Sequence, residues 1–244
     1  MKRASFYWLL PILLAILALI MGAVVERRIA SIQKNELREE LETLRDSNVE
    51  ALKEWLHSQQ LTALRAGYDE GVEQAARQLI ELSEAPDQNF EELFDSDAQK
   101  ALNRALGNTL QHWEVEGYYL IAGDRVIAGT TQAFLGTRLS QASLRAFKRV
   151  LAGETVVVPP AYVTLGRIPE KNPLMWVAAP VHDGNNQPIA ALAFQLDPQK
   201  SFTRILRTAR LGDSGETYAF DRSGLLLSQS RFDDQLKKVG LLTS

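Results

Sequence analysis

The chain contains no cysteine, which excludes disulfide frameworks, thiolate metal centres and thiol nucleophiles together. It has only three histidines. His57, His112 and His182 lie far apart with no HExxH arrangement, so surface or packing roles are their default and no metal site is expected. Charge of one sign is lacking as well: 27 basic and 30 acidic residues are interspersed for a net charge of -3. Without a basic field nothing can hold a polyanion through counterion release, and nucleic acid is excluded as a partner. There is no Walker loop, GxGxxG fingerprint, kinase signature or GxSxG elbow, and no cofactor is expected. Gly212-Asp213-Ser214-Gly215 matches the string around a serine-protease nucleophile. It lacks the following glycine and a histidine in a suitable setting, and the same residues suit a turn from helix to strand. An anchored hydrolase would need a convergent Ser, His and Asp set that the sequence does not supply, so the chain is not expected to be an enzyme.

What the chain does have begins with an uncharged run from Phe6 to Val25, FYWLLPILLAILALIMGAVV. At a helical rise of about 1.5 Å per residue it covers about the 30 Å of a hydrocarbon core. Tyr7 and Trp8 sit where an aromatic belt belongs, and Lys2 and Arg3 mark residues 1–5 as a cytoplasmic tail. A cleaved signal peptide would have a shorter apolar core and small residues at the cleavage site, where here Met21 precedes Ala23. The expectation is an uncleaved, single-pass inner-membrane anchor with the bulk of the chain on the extracytoplasmic, periplasmic side.

From Glu26 to Glu84 there is no proline and no glycine cluster, and good helix formers dominate. One long helix over 26–84 is expected, ending at Ala85-Pro86-Asp87. Ala30, Leu37, Leu41, Leu44, Asn48, Ala51 and Trp55 approximate a 3,4 spacing, spoiled by Lys34, which outlines a homodimeric coiled-coil seam with Asn48 as a register residue. In the distal half, Leu52, Leu56, Leu61, Leu64, Val72, Leu79, Ile80 and Leu82 form an apolar stripe that is expected to pack on the chain's own sheet, since Gly67 and Gly71 interrupt a heptad. A second helix is predicted over Asp97 to Gln111.

After Glu116 the pattern becomes short apolar runs separated by turns. A strand pair turns at Gly123-Asp124, a helix runs from Gln141 to Leu151, and TVVVPPAYVTL bends at Pro159 and Pro160 on a sheet edge. LMWVAAPV and PIAALAFQLD form a hairpin about Asp183-Gly184-Asn185-Asn186. A short helix follows from Ser201 to Leu211, carrying Arg204, Arg207 and Arg210 as a water-facing basic stripe. Tyr218 to Leu227 then repeats the plan of Tyr119 to Ala128, with too few residues after it to close a second sheet. The fold class is α+β: a transmembrane helix continuing into a long helix, then an antiparallel sheet with flanking helices.

The anchor running into a long helix, VVVPPAYV, WVAAPVHDGNNQPIAALAFQLD and GDSGETYAFDRSGLLLSQSR together resemble the double Cache extracytoplasmic sensor modules of bacterial histidine kinases, chemoreceptors, cyclases and serine/threonine kinases. The likeness covers about Glu26 to Ser244 and implies a PAS-like sheet that holds a small ligand in a membrane-distal module, residues 85–199. Residues 200–244 then correspond to a linker helix and the start of a membrane-proximal module that stops mid-sheet, as in a fragment of a longer receptor. Members that bind amino acids usually carry an Arg-x-Trp-Tyr-like segment and an Asp in the last distal strand. Here RAFKRVLAG, with Arg145, Phe147, Lys148 and Arg149, and Gln195 stand at those places, which speaks against an amino-acid ligand.

An anionic ligand in a half-dry pocket needs a forked cation together with amide or hydroxyl groups that fix its orientation. Tyr119, Arg125, Arg149, Tyr162, Arg167, Trp176 and Gln195 are the candidates. Strand propensity and packing account equally for the aromatics, and solvation for the arginines. The expected function is the small-ligand sensing input of a transmembrane signalling receptor, with its output region outside this chain. The alternative is a membrane-anchored scaffold or assembly protein acting through its long helix.

Overall fold

Helix α1 (Phe6–Gly67) opens the chain. The computed structural model describes residues 6–86, 89–161, 164–165, 168–169, 174–208, 215–220, 222, 224, 226–228, 230 and 232–240. It divides the chain into two units, Met1–Asn48 and Val49–Ser244.

In the first unit the large apolar side chains between Leu13 and Val25 are 50% to 74% exposed. The expected span Phe6–Val25 is helical. The tail 1–5 and the side chains of residues 6–12 lie outside the described residues. Among the described residues, no helix is long and apolar enough to cross a membrane. Leu37 and Leu41 are 46% and 49% exposed, whereas Asn48 is only 3% exposed. The Asn48 side chain is therefore withdrawn from water within the single chain, where the expected register position would stand open to a partner helix.

In the second unit the expected continuous helix 26–84 is broken. α1 stops at Gly67, and α2 runs over Glu70–Ser83. Asp69 caps α2 by accepting a hydrogen bond from the Val72 N–H (3.1 Å), which satisfies one of the orphan donors of the new first turn. A short helix α3 (Phe90–Asp95) and helix α4 (Asp97–His112) follow, with Asn89 and Ser96 as their caps.

Among the described residues seven strands come next: β1 (Val115–Ala122), β2 (Arg125–Gly129), β3 (Val156–Ala161), β4 (Thr164–Leu165), β5 (Ile168–Pro169), β6 (Leu174–His182) and β7 (Pro188–Leu196). Helix α5 (Gln141–Leu151) lies between β2 and β3, over the residues that the sequence predicts. Among the described residues, five strands form one antiparallel sheet in the order β2-β1-β7-β6-β3, and β4 pairs with β5. Pro159 and Pro160 fall on edge strand β3, where the register slips between Val158 and Ala161. An edge strand tolerates the missing N–H.

One face of the sheet carries the main core. Tyr118, Leu120, Val177, Ala179, Leu192 and Phe194 pack there with Ala63, Ala66, Val72, Leu79, Leu102 and Leu106 of α1, α2 and α4. Each fully buried large side chain among them contributes about 1.5–3 kcal/mol. The predicted stripe needs correction here: Leu61 and Leu82 are 40% and 44% exposed, and Ala63 and Ala66 take the sheet-facing places. The helix approaches the sheet so closely that only small residues fit: a Cβ built on Gly67 would lie 2.1 Å from the Pro180 carbonyl oxygen.

Beside this junction His182 is 8% exposed. Its ring stacks on Tyr68 at 4.2 Å and 13°, and buried Nδ1 has no partner among the described residues. Burial pushes the His182 pKa down, against the pull of Asp183 upward. Asp183 itself is held below the usual carboxylate range, chiefly by the Gln187 N–H. Protonation is therefore easier in the unfolded chain. Stability is expected to fall as pH drops through about 6.5 toward the lower folded value. The melting temperature of His182→Phe, which keeps the stack, should vary less than wild type between pH 7 and 5; equal slopes would exclude the histidine as the cause.

Helix α6 (Pro198–Thr208) follows β7. Arg204 is not simply water-facing: its guanidinium donates to both oxygens of Glu114 (3.3 and 2.9 Å), and Lys200 pairs with Glu116. Arg210 lies outside the described residues. The predicted second strand pair lies partly outside the described residues, among which Phe220 bridges Leu226. A short helix α7 (Asp233–Lys238) comes after it.

Candidate ligand-binding site

Strand alternation divides β1 between the two faces of the sheet. Tyr118 and Leu120 enter the helical core, while Ile121 packs on the second face with Phe147 and Val150 of α5. Register then fixes the neighbours of Tyr119 on that second face. Tyr119 lies opposite Ala193, which lies opposite Ala178. In the next row Gly117 faces Gln195, Gln195 faces Trp176, and Trp176 faces Val158. The Tyr119 ring meets Trp176 edge-on at 5.4 Å and Phe134 at 5.3 Å. Aromatic rings therefore stand over a floor of small side chains, with one amide at its edge.

The sheet thus brings together three of the predicted residues, Tyr119, Trp176 and Gln195. Tyr119 is buried, and Trp176 and Gln195 are half-buried. Among the described residues, neither the Gln195 amide nor the Trp176 indole N–H has a hydrogen-bond partner. Arg125 and Arg149 are not brought to this group. Arg125 sits by the β1–β2 turn, donating to the Gly136 carbonyl (3.2 Å) and lying 3.7 Å from Asp124. Arg149 is exposed at the end of α5 and donates twice to Glu154 (2.9 and 2.6 Å). Both guanidiniums have carboxylates close by in sequence that engage them. Tyr162 and Arg167 lie outside the described residues, as do residues 212–214 of the protease-like string. Among the described residues, no cluster of His, Asp or Glu could hold a metal ion.

Two further features escaped sequence reasoning. Phe134 lies in a 3-10 turn (Gln132–Phe134) with no periodic signal. Below the floor, on the core face, Gln99 is 1% exposed. Its Nε2 donates to the Tyr118 hydroxyl (2.9 Å) and the Gly129 carbonyl (3.1 Å), and its Oε1 accepts from the Gly129 N–H (3.4 Å). The Tyr118 hydroxyl in turn donates to Asn103 (2.6 Å), and burial raises its pKa far above the ordinary phenol value. This network pins β2 where Gly129 pairs with Tyr119. The alternating alanines of WVAAPV and IAALAF were the available signal for a floor of small side chains.

Gly129 must be glycine for the site to form. A Cβ there would stand 2.7 Å from Tyr119 Cδ1 and 2.9 Å from the Tyr118 carbonyl oxygen. Gly129→Ala is expected to displace the Tyr119 ring and to cost about 1–3 kcal/mol in stability. Near-ultraviolet circular dichroism should change with it; an unaltered aromatic spectrum would show that the ring does not depend on this glycine.

An antiparallel sheet in this order, with α1, α2 and α4 on one face and α5 beside an aromatic-walled floor on the other, is an α+β fold of PAS-like type. The chain shares its fold with double Cache-type sensor domains. The sensor domain of the V. cholerae histidine kinase DctB superposes with a TM-score of 0.51 at 17% identity, covering 84% of this chain and 74% of that one. The sensory domain of the Campylobacter jejuni chemoreceptor Tlp3 gives 0.51 at 11% identity, over 84% and 75%. The ligand-binding domain of the Pseudomonas aeruginosa amino acid chemoreceptor PctB, solved with L-Arg, gives 0.51 at 16% identity, over 82% and 67%. At these identities the likeness is one of fold. No family model matches the chain, and no curated protein does so.

Proposed function

We propose that this chain is the extracytoplasmic, small-ligand sensing input of a single-pass transmembrane receptor, a binding module rather than an enzyme. The observation that carries this is the second face of the sheet, where Tyr119, Trp176 and Gln195 converge over small residues and where, among the described residues, the Gln195 amide and the Trp176 indole N–H have no hydrogen-bond partner. Residues 85–199 form the binding module, and residues 200–244 lead into a second one. The shared fold supports sensing, since the solved domains are a histidine kinase sensor and chemoreceptor ligand-binding domains.

Anchoring through Phe6–Val25 is supported by its lack of charge and by the apolar side chains exposed from Leu13 onward. Homodimerisation is supported by Leu37 and Leu41, exposed among Lys34, Arg38, Glu42 and Arg45 with the apolar spacing of a seam.

A thermal-shift screen of the purified chain against amino acids, organic acids, polyamines and purines tests sensing. A ligand at about 100 times its Kd should add about 2.7 kcal/mol. A cooperative melt that nothing shifts would overturn the sensing role and favour a scaffold. Protease added to intact spheroplasts should digest the chain beyond Glu26; full protection would overturn the orientation.

A further inference from the structure

We infer that His182 is a proton-sensitive latch on the α1–α2 connection: a charged imidazole releases the Tyr68 ring from the end of β6. The latch is independent of the ligand face, because the groups that carry it lie where α1 gives way to α2. His182 is the last residue of β6, and Tyr68 and Asp69 are the two residues between the helices. The Tyr68 and His182 rings lie nearly parallel, 13° apart with centroids at 4.2 Å. Tyr68 is 54% exposed and stands over an imidazole that is only 8% exposed. The link itself is held by short-range bonds, from the Tyr68 N–H to the Arg65 carbonyl (3.2 Å) and from the Asp69 N–H to the Ala66 carbonyl (3.3 Å).

The slot suits a neutral ring. Nε2 faces the Tyr68 hydroxyl at 3.5 Å, and buried Nδ1 has no partner among the described residues. Protonation puts an N–H on both nitrogens, which leaves a charged donor buried without an acceptor. The face of Tyr68 attracts a cation and offsets part of that loss. The balance still goes against the charge, since burial holds the ring below its ordinary pKa against the upward pull of Asp183. The other charged groups on this side are engaged or exposed. Asp183 accepts from the N–H groups of Asn185 (2.9 Å) and Gln187 (2.8 Å) and lies 3.7 Å from Arg77. On α2, Glu73 accepts twice from Arg77 (3.1 and 3.0 Å), and Asp69 caps the Val72 N–H. Arg65 and Glu70, at the facing ends of the two helices, are exposed. Water supplies the missing acceptor once Tyr68 swings off the ring. Opening restores the ordinary proton affinity of the imidazole, so acid favours the open state: the latch holds above about pH 6.5 and loosens as pH falls through that value toward the lower one of the closed state. Proton concentration thereby acts on the tie between the helix pair and β6 with no ligand on the Tyr119 face.

The test is hydrogen exchange of the purified full chain in detergent, read by mass spectrometry at about pH 7 and about pH 5 and corrected for the intrinsic pH dependence of exchange. Peptides covering residues 66–72 and 180–184 are expected to lose protection about threefold or more at the lower pH, while those of β7 keep theirs. His182→Phe, which keeps a ring against Tyr68, should remove the pH effect at this junction. Tyr68→Ala should leave the junction open at both pH values. It should also raise the His182 pKa toward the ordinary value, followed by NMR of the imidazole in a chain that carries His57→Gln and His112→Gln. Equal protection of the wild-type junction at both pH values would overturn the latch. So would a loss spread evenly over β1, β6 and β7, which is global unfolding, or a pH effect that persists in a folded His182→Phe. Should that variant not fold, the NMR titration decides: a His182 midpoint that Tyr68→Ala does not raise overturns the latch, and one that rises supports it.

Discussion

Gly67→Ala is expected to destabilise the second unit by about 1–3 kcal/mol. A melting temperature lower by about 2–4 °C for each kcal/mol would report it. Alanine is ordinarily the better helix former, so propensity alone predicts the opposite sign. The difference is what the methyl group meets. At Gly67 it would lie 2.1 Å from the Pro180 carbonyl oxygen and 3.1 Å from the carbonyl carbon. Both belong to the backbone of β6, which is held between β3 and β7 and cannot move aside like the end of a flexible side chain. Gly107 provides the internal comparison. It is an exposed residue of α4 with nothing within 4 Å of a built Cβ, and Gly107→Ala should stabilise by about 0.5–1 kcal/mol. Opposite signs at the two glycines are the expected result. Stabilisation at both would show that α1 does not rest on the β6 backbone.

The second large effect is expected at Gln99. Gln99→Ala leaves the N–H and C=O of Gly129 without their side-chain partner in a buried setting, removes one bond from the Tyr118 hydroxyl and opens a void. Together these should cost about 2–4 kcal/mol. Gln99→Met fills most of the space and loses only the hydrogen bonds, so its cost should be smaller, about 1–3 kcal/mol. The same variant separates packing from function. Gln99 makes no hydrogen bond to Tyr119 or Trp176 among the described residues, yet it holds Gly129, on which the Tyr119 ring rests. A folded Gln99→Met is therefore expected to weaken ligand binding together with stability, while Asn103→Ala, which leaves the Gly129 bonds in place, should affect binding less. Equal loss of binding in both variants would remove the special role of the Gly129 clamp.

Much of the architecture was legible in the residues. The helix Gln141–Leu151 was placed to the residue, the hairpin about Asp183-Gly184-Asn185-Asn186 was correct, and Pro159-Pro160 marked an edge strand. The turn is legible because its chemistry is local: Asp183 accepts hydrogen bonds from the N–H groups of Asn185 and Gln187, and Asn186 takes a positive φ of 60. The break at Tyr68-Asp69 was less legible. A helix-forming stretch shows no internal reason to stop, and Gly67 reveals its purpose only against Pro180, a residue more than a hundred positions away.

The candidate site divides in the same way. Tyr119, Trp176 and Gln195 were legible as aromatics and an amide on strands, but their convergence depends on the pairing of β1 with β7 and of β7 with β6, a matter of register between distant segments. Arg125 and Arg149 had the charge expected of ligand-binding residues. In the folded chain they engage Asp124 and Glu154, close by in sequence, and the Gly136 carbonyl instead.

By itself, then, the sequence determined the α+β class, the uncharged N-terminal run and the strands, because periodicity, capping and turn chemistry act over a few residues. Tertiary structure decided how helices divide between the two faces of the sheet, which small residues let α1 and the aromatic rings approach, and which distant side chains converge. Those outcomes depend on the distance between residues far apart in the chain, and such distances are set only when the strands pair and the core closes around them.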